Sequence, residues 1–152
     1  MALVDDDQLV GRALYEPQWD ENVNRSTPSA FGKGDTSVTK LLPLGEGPLI
    51  SLLKNEVEKG SVVVKGIGLI SVSCIKQAGE KAVPLAHYFQ VPEMPTPTNP
   101  DHAEIHIFED KACASKKNKV PKGICKKITK ALEILVLDSS GKLIFRNPPI
   151  VD

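Results

Sequence analysis

Two of the three histidines of this chain lie close together, in a stretch that also holds a glutamate. His102, Glu104 and His106 are two residues apart, so a β-strand here would place all three side chains on one face. Such a set can ligate a metal ion, with Cys113 in reach. No Cys-x-x-Cys or His-Glu-x-x-His motif accompanies it, however. We therefore favour the alternative that His102 donates a hydrogen bond to the preceding loop, and we expect no metal and no cofactor.

The preceding loop is rich in proline. Residues 95–100 read Pro-Thr-Pro-Thr-Asn-Pro. Proline fixes φ and lacks an amide donor, so this segment is predicted to be a stiff, irregular loop. It leads directly into the apolar, β-prone run from Ala103 to Phe108.

The bulk composition indicates an ordinary globular protein. The chain has 152 residues, enough for one domain, with 19 basic and 19 acidic side chains. This balance excludes a basic protein that binds polyanions over its whole surface. It also excludes a strongly acidic protein that mimics a polyanion. Three cysteines at irregular spacing argue against a disulfide framework. Without a signal peptide or a long apolar run, we expect a cytoplasmic protein with no membrane contact.

Motifs for covalent catalysis and for phosphate binding are absent from the sequence. It contains no Gly-x-Ser-x-Gly elbow, and residues 32–37 (Gly-Lys-Gly-Asp-Thr-Ser) lack the spacing of a Walker loop. Cys74 is predicted to be a small buried residue of an apolar strand. Cys113 and Cys125 have lysines nearby in sequence but no histidine. A nucleophilic cysteine is therefore not indicated.

The segment 111–130 carries eight lysines and no acidic residue. A patch of this kind can follow nucleic-acid phosphates, and Lys116, Lys117, Lys126 and Lys127 are the candidate contacts. The segment lacks arginine for reading bases and aromatic residues for stacking. It predicts at most a non-specific electrostatic surface, and a solvated helix face is the alternative.

Periodicity predicts a single α+β domain over residues 1–152. The predicted core is an antiparallel or mixed sheet of about five strands, with helices at 48–59 and 121–134 packed on it. Residues 61–65 and 67–74 are predicted to be strands separated by a bulge at Gly66, and 135–145 a hairpin. Residues 18–35 are predicted to be a long loop that Trp19 and Phe31 anchor in the core. Residues 1–7 and 147–152 are predicted to be loose tails, and 109–119 a mobile loop.

The sequence contains an ordered set of short blocks: Arg12 with Pro17, then Ser29-Ala30-Phe31, then Ser37-Val38, and finally Pro97-x-Asn99-Pro100-x-His102-Ala103-x-Ile105. Together these blocks resemble a family of small, uncharacterised bacterial proteins, often from mobile or variable genomic regions. They span about the first two-thirds of the chain. The resemblance implies that Phe31 and Asn99 are candidate binding residues, and it brings no activity with it.

The resemblance also implies that Arg12, Ser37 and His102 belong to separate segments that converge at one end of a small sheet. An arginine, a serine and a histidine on three strands are similar in layout to small ADP-ribosyltransferase-like domains, in which such residues hold a nicotinamide dinucleotide. Glu104 is then the candidate for the catalytic glutamate.

Two main functional hypotheses follow. The first is an intracellular bacterial regulatory protein that binds another protein, as part of a conflict or mobile-element system. The alternative is an enzyme or toxin that acts on a nucleotide or nucleic acid through Arg12, Ser37, His102 and Glu104. A weaker third hypothesis is an accessory protein that contacts nucleic acid through residues 116–130.

Overall fold

The computed structural model describes residues 2–150, which form nine strands, three α-helices and one 3-10 helix at Pro28–Phe31. The helices are α1 (Glu46–Val57), α2 (Val72–Glu80) and α3 (Lys122–Ala131). The strands are β1 (Leu9–Leu14), β2 (Trp19–Asp20), β3 (Arg25–Ser26), β4 (Asp35–Lys40), β5 (Gly66–Ser71), β6 (Tyr88–Gln90), β7 (His102–Phe108), β8 (Glu133–Leu137) and β9 (Leu143–Asn147).

Seven strands form one sheet in the order β6-β7-β4-β1-β5-β8-β9, and all neighbouring pairs are antiparallel. The small β2–β3 hairpin stands apart from it. The predicted α+β class with an antiparallel sheet in a single domain is confirmed, but the prediction of about five strands and two helices was too low. Within residues 2–150, no helix is long and apolar enough to cross a membrane.

Helices cover the two faces of the sheet unequally. On one face, α2, α3 and the 3-10 helix bury a large core that includes Phe31, Ile75, Ile124 and Ile128. On the other face, α1 alone packs on the sheet, through Leu49, Ile50 and Leu53 against a smaller cluster of strand residues, Ala13, Ile67, Leu69, Leu135 and Leu137. Because α1 is a single short helix, the half of this face formed by β4 and β7 is left open.

The segment predicted as a strand at 67–74 is a strand followed at once by a helix. β5 ends at Ser71, whose side chain accepts a hydrogen bond from the amide of Cys74 at 3.1 Å and so caps α2. Val72, Ile75 and Gly79 then recur at helical spacing on the buried side. Residues 61–65 are not a strand, and Gly66 is not a bulge. A Cβ on Gly66 would lie 2.7 Å from the Trp19 ring, so glycine makes room for that buried indole.

Both segments predicted as loose tails are packed in their described parts. Val4 is buried, and its amide donates to Val91 O at 2.8 Å. At the other end, the amide of Ile150 donates to Lys130 O at 2.8 Å. The predicted mobile loop at 109–119 is also structured, because the carboxylate of Asp110 accepts from the amides of Ala114 and Ser115. Those two amides lower the pKa of Asp110. Met1 and residues 151–152 lie outside the described part.

A buried arginine closes the C-terminal end of α3. The Arg25 guanidinium donates to Thr129 O at 3.2 Å and Leu132 O at 2.9 Å, and also to Pro148 O at 2.8 Å. Carbonyl groups at a helix C-terminus lack partners within the helix and carry partial negative charge, so a cation suits this position. Arg25 thereby joins the β2–β3 hairpin, α3 and the C-terminal segment.

Arg25→Met should lower the free energy of unfolding by about 3 kcal/mol, because bonds to a charged donor are lost while the carbonyls stay buried. Urea unfolding monitored by circular dichroism measures this. Arg146→Met is the matched control, since Arg146 is exposed and its ion pairs with Glu46 and Glu133 contribute only about 0 to 1 kcal/mol. Equal losses in the two variants would contradict the capping role.

Candidate functional site

A cleft of about 470 Å³ lies between α1 and the open half of its sheet face. Its floor comes from β4 and β7, whose register sets Thr39 opposite His102 and Ser37 opposite Glu104. Alternation on β7 sends Ala103, Ile105 and Ile107 into the core and leaves the polar residues facing the cleft. The cleft is lined by Arg12, Ala13, Tyr15, Lys33, Asp35, Thr36, Ser37, Val38, Thr39, Leu53, Glu56, Val57, His102 and Glu104.

Arg12 occupies an opening in the middle of the sheet. Within residues 2–150, β1 and β4 pair only at Val10 with Lys40 and Gly11 with Thr39, whereas all six residues of β1 pair with β5. Continued antiparallel pairing would bring Ala13 opposite Ser37. Instead, Nη1 of Arg12 donates to Ser37 O at 2.9 Å. The guanidinium therefore replaces a backbone hydrogen bond where the two strands diverge.

The Arg12 guanidinium is half-buried, and no carboxylate of the described residues forms an ion pair with it. Burial lowers the pKa of Arg12, and its Cζ lies 5.9 Å from the centroid of the Phe31 ring. Its Nε is buried without a hydrogen-bond partner. Guanidinium groups stay protonated in proteins, so the wall of the cleft contains a positive charge without a direct ion-pair partner among the described residues.

Asn99 ties the proline loop to the two elements beside the cleft. It is fully buried, and its Nδ2 donates to Thr39 Oγ1 at 2.9 Å and to Glu56 Oε1 at 3.0 Å. Its Oδ1 accepts from the amide of Asp101 at 3.0 Å, which closes an Asx turn. One amide side chain thus connects β4, α1 and the loop 95–100, and it orients the Glu56 carboxylate at the cleft.

The orientation of His102 leaves one ring nitrogen as an acceptor. Nδ1 of His102 lies 2.8 Å from Met94 O. A carbonyl oxygen can only accept, so Nδ1 carries the hydrogen in the neutral ring and Nε2 is unprotonated. The favoured hypothesis of a hydrogen bond from His102 to the proline loop matches this contact. It also leaves the cleft with a side chain that can accept a proton or a hydrogen bond.

The other two polar residues of the β7 face are paired with each other. Nε2 of His106 lies 2.9 Å from Oε1 of Glu104. The metal-ligand alternative for these residues lacks a supporting geometry, because among residues 2–150 no cluster of three or more His, Cys, Asp or Glu side chains is arranged to hold a metal ion. Glu104 is instead held in place as a hydrogen-bond acceptor at the cleft.

The structure brings together the four residues predicted to act together, Arg12, Ser37, His102 and Glu104, since all line this one cleft. The other predicted site residues lie elsewhere. Phe31 and Asn99 are buried, with 2% and 0% of their surfaces exposed, so they support the site from within and are not available to a partner. Lys126 and Lys127 are exposed on α3, and Lys116 and Lys117 lie in the loop after β7, where Lys117 pairs with Glu109 at 3.3 Å.

Sequence reasoning missed four ionisable residues of the cleft: Tyr15, Lys33, Asp35 and Glu56. Asp35 could have been found, because it alternates with Ser37 and Thr39 on one strand face. Glu56 could not, since only the packing of α1 brings it to the sheet. The prediction that Cys74 is buried in a strand was wrong, because Cys74 is exposed on α2. Cys125 is buried, and desolvation raises the pKa of its thiol.

Comparisons of this chain with protein-family models, with curated proteins and with solved structures found no match. What the cleft can bind follows from its own residues. Two cations, Arg12 and Lys33, and three carboxylates, Asp35, Glu56 and Glu104, line it together with the acceptor nitrogen of His102. Such a site offers both positive charge and hydrogen-bond acceptors to a ligand.

Asn99→Ala should lower the free energy of unfolding by about 2 kcal/mol, because Thr39 and Glu56 lose a buried donor. Urea unfolding gives the value. Thr98→Ala, at the exposed neighbouring position of the same loop, is the control and should change stability little. If both variants unfold at the same urea concentration, Asn99 does not connect these elements.

The neutral imidazoles of β7 should have opposite tautomers. His102 is expected to carry its hydrogen on Nδ1, toward Met94 O, and His106 on Nε2, toward Glu104. Long-range proton–nitrogen correlation spectra of ¹⁵N-labelled protein distinguish the two forms. A hydrogen on Nε2 of His102 would show that its acceptor nitrogen is not available to the cleft.

Proposed function

We propose that this protein binds a small phosphorylated ligand of the nucleotide class in the cleft between α1 and the β4–β7 surface. The single observation that carries the proposal is the half-buried Arg12 guanidinium in the cleft wall, which has no carboxylate partner among the described residues.

The electrostatics of Arg12 favour an anion from outside the chain. Partial removal of a charge from water is unfavourable, and here one carbonyl and one aromatic ring compensate for it in part. A structural role as a link between β1 and β4 accounts for the bond from Nη1 to Ser37 O. It does not supply a negative charge for the guanidinium among the described residues. A phosphate group in the cleft would supply that charge.

The remaining residues of the cleft favour a nucleotide over inorganic phosphate. Its volume of about 470 Å³ lies in the range of about 300 to 1,000 Å³ that is usual for small-molecule sites. Glu56 and Glu104 each accept one hydrogen bond within the protein and keep further lone pairs. These can accept from ribose hydroxyls or from base amino groups.

His102 supplies the one acceptor nitrogen of the site. Its Nδ1 bond to Met94 O fixes the ring, so that Nε2 can accept a hydrogen from a ligand hydroxyl or from water. This side chain is therefore the candidate general base if the bound ligand reacts. Arg12 would stabilise negative charge that develops on the same ligand.

Isothermal titration of the purified chain with AMP, ADP, NAD, adenosine and inorganic phosphate tests the proposal. At least one phosphorylated nucleotide should bind, and adenosine should bind about tenfold more weakly or worse, since about 1.4 kcal/mol of the phosphate contact is lost. Arg12→Met should weaken binding of that nucleotide by a similar factor. Arg146→Met removes one arginine charge at an exposed ion pair on β9 and should leave binding unchanged.

Because Arg12→Met removes a link between two strands, its folding is checked by urea unfolding. Ser37→Gln provides a second test, since Ser37 is exposed on the cleft floor and a longer side chain there fills the cleft without entering the core. If none of the nucleotides binds, or if binding survives in both Arg12→Met and Ser37→Gln, the proposal is wrong.

A further inference from the structure

We propose that a second, apolar groove, on the opposite side of the sheet, docks a segment of another protein that presents an aliphatic side chain flanked by Asp or Glu. The groove has a volume of about 270 Å³ and lies between the start of α3 and the loop that joins α2 to β6. Its lining residues are Ala82, Val83, Pro84, Leu85, His87, Pro121, Gly123, Ile124 and Lys127. The proposal does not depend on the ligand of the cleft.

The groove exposes apolar side chains to an unusual degree. Val83 and Leu85 are 89% and 70% exposed, more than any other large hydrophobic side chain in residues 2–150. Between them stands Pro84, and the buried side chain of Ile124 reaches the groove from the core. Contiguous apolar surface of this kind is typical of sites that bind a partner.

The loop that carries these side chains is attached to the fold at both ends. The amides of Ala82 and His87 both donate to Gly79 O, at 3.1 and 2.9 Å. A Cβ on Gly79 would lie 2.6 Å from His87 O, so the close approach of this loop to α2 requires glycine there. Nδ1 of His87 also lies 3.2 Å from Leu85 O. The structure thus holds Val83 and Leu85 outward on a loop with defined ends.

The positive charge around the groove favours an acidic partner. Lys127 lines it, and Lys81, Lys122 and Lys126 are exposed positions next to its lining residues in sequence. None of the nine lining residues is acidic, and Glu80 is the one carboxylate beside the loop in sequence. A segment with Asp or Glu around an aliphatic residue would therefore pair its charges with the lysines while its apolar side chain enters the groove.

Nucleic acid fits this surface less well than such a segment. The floor and one wall are aliphatic, and the lining contains neither arginine for bidentate contacts nor an aromatic ring for stacking. Burial of Val83 and Leu85 needs an apolar group on the partner, which a phosphate backbone lacks.

Gly123 offers a variant that blocks the groove without disturbing the core. A Cβ at Gly123 would meet no heavy atom within 4 Å, so the space above it is open. Glycine inside a helix is less favourable than most other residues, and a larger side chain here should not destabilise α3. Gly123→Leu should therefore fill the groove while the chain stays folded.

The experiment is a display selection in which short random peptides are enriched on the immobilised full chain. Enriched peptides should contain an aliphatic residue flanked by Asp or Glu. A synthetic copy of the best peptide should bind Gly123→Leu and Leu85→Ser about tenfold more weakly than the wild type, which corresponds to about 1.4 kcal/mol. Lys127→Glu should also weaken binding. Lys59→Glu, which changes an exposed lysine after α1 on the opposite side of the sheet, should not.

Three outcomes would overturn the proposal. One is that every peptide enriched on the wild type is also enriched on Gly123→Leu. Another is that enriched peptides lack the acidic residues or bind Lys127→Glu and the wild type equally. The last is that a short oligonucleotide displaces the peptide at physiological salt, which would assign the surface to nucleic acid.

Discussion

The divergence of β1 from β4, with the Arg12 guanidinium in the opening, is the constraint on which the arrangement of the sheet depends. On one side of it lie β1, β5, β8 and β9, and on the other lie β4, β7 and β6. Two residue pairs, the hydrogen bond from the Leu41 amide to Leu9 O and the bond from Arg12 to Ser37 O hold these halves together. A charged side chain therefore replaces a backbone ladder bond, and the desolvated charge stands beside a cleft that opens to solvent.

The cleft and its support form a connected set of contacts. Asn99 joins β4, α1 and the proline loop, and Met94 O, directly before that loop, accepts the hydrogen bond from His102. The polar face of β7 is available for this because the alternate residues of the strand fill the core. On the opposite side of the sheet, apolar residues are likewise buried and polar residues are left exposed. There α3 buries Ile124 and Ile128 and leaves its lysines at the surface, beside the exposed Val83 and Leu85.

Elements with a clear period could be predicted from the sequence. Ile124 and Ile128 mark α3, Leu49 and Leu53 mark α1, and Ser139 to Lys142 mark the turn between β8 and β9. The prediction failed at the start of α2, because Val72 is β-branched and continues the apolar run of β5 without a turn residue. The start of the helix is evident only when the Ser71 cap shows where the strand ends. The candidate site was predicted in part, since Asp35 and Glu56 were not identified.

The sequence by itself determined which residues can share a face, because alternation along a strand is a local property. This is why His102, Glu104 and His106 were expected on one side of β7. Only the tertiary structure decided what that face meets. The antiparallel register set Ser37 against Glu104, the packing of α1 brought Glu56 to the sheet, and the gap between two strands desolvated Arg12. These contacts join residues far apart in sequence, and they depend on strand order and helix packing, which local patterns do not encode.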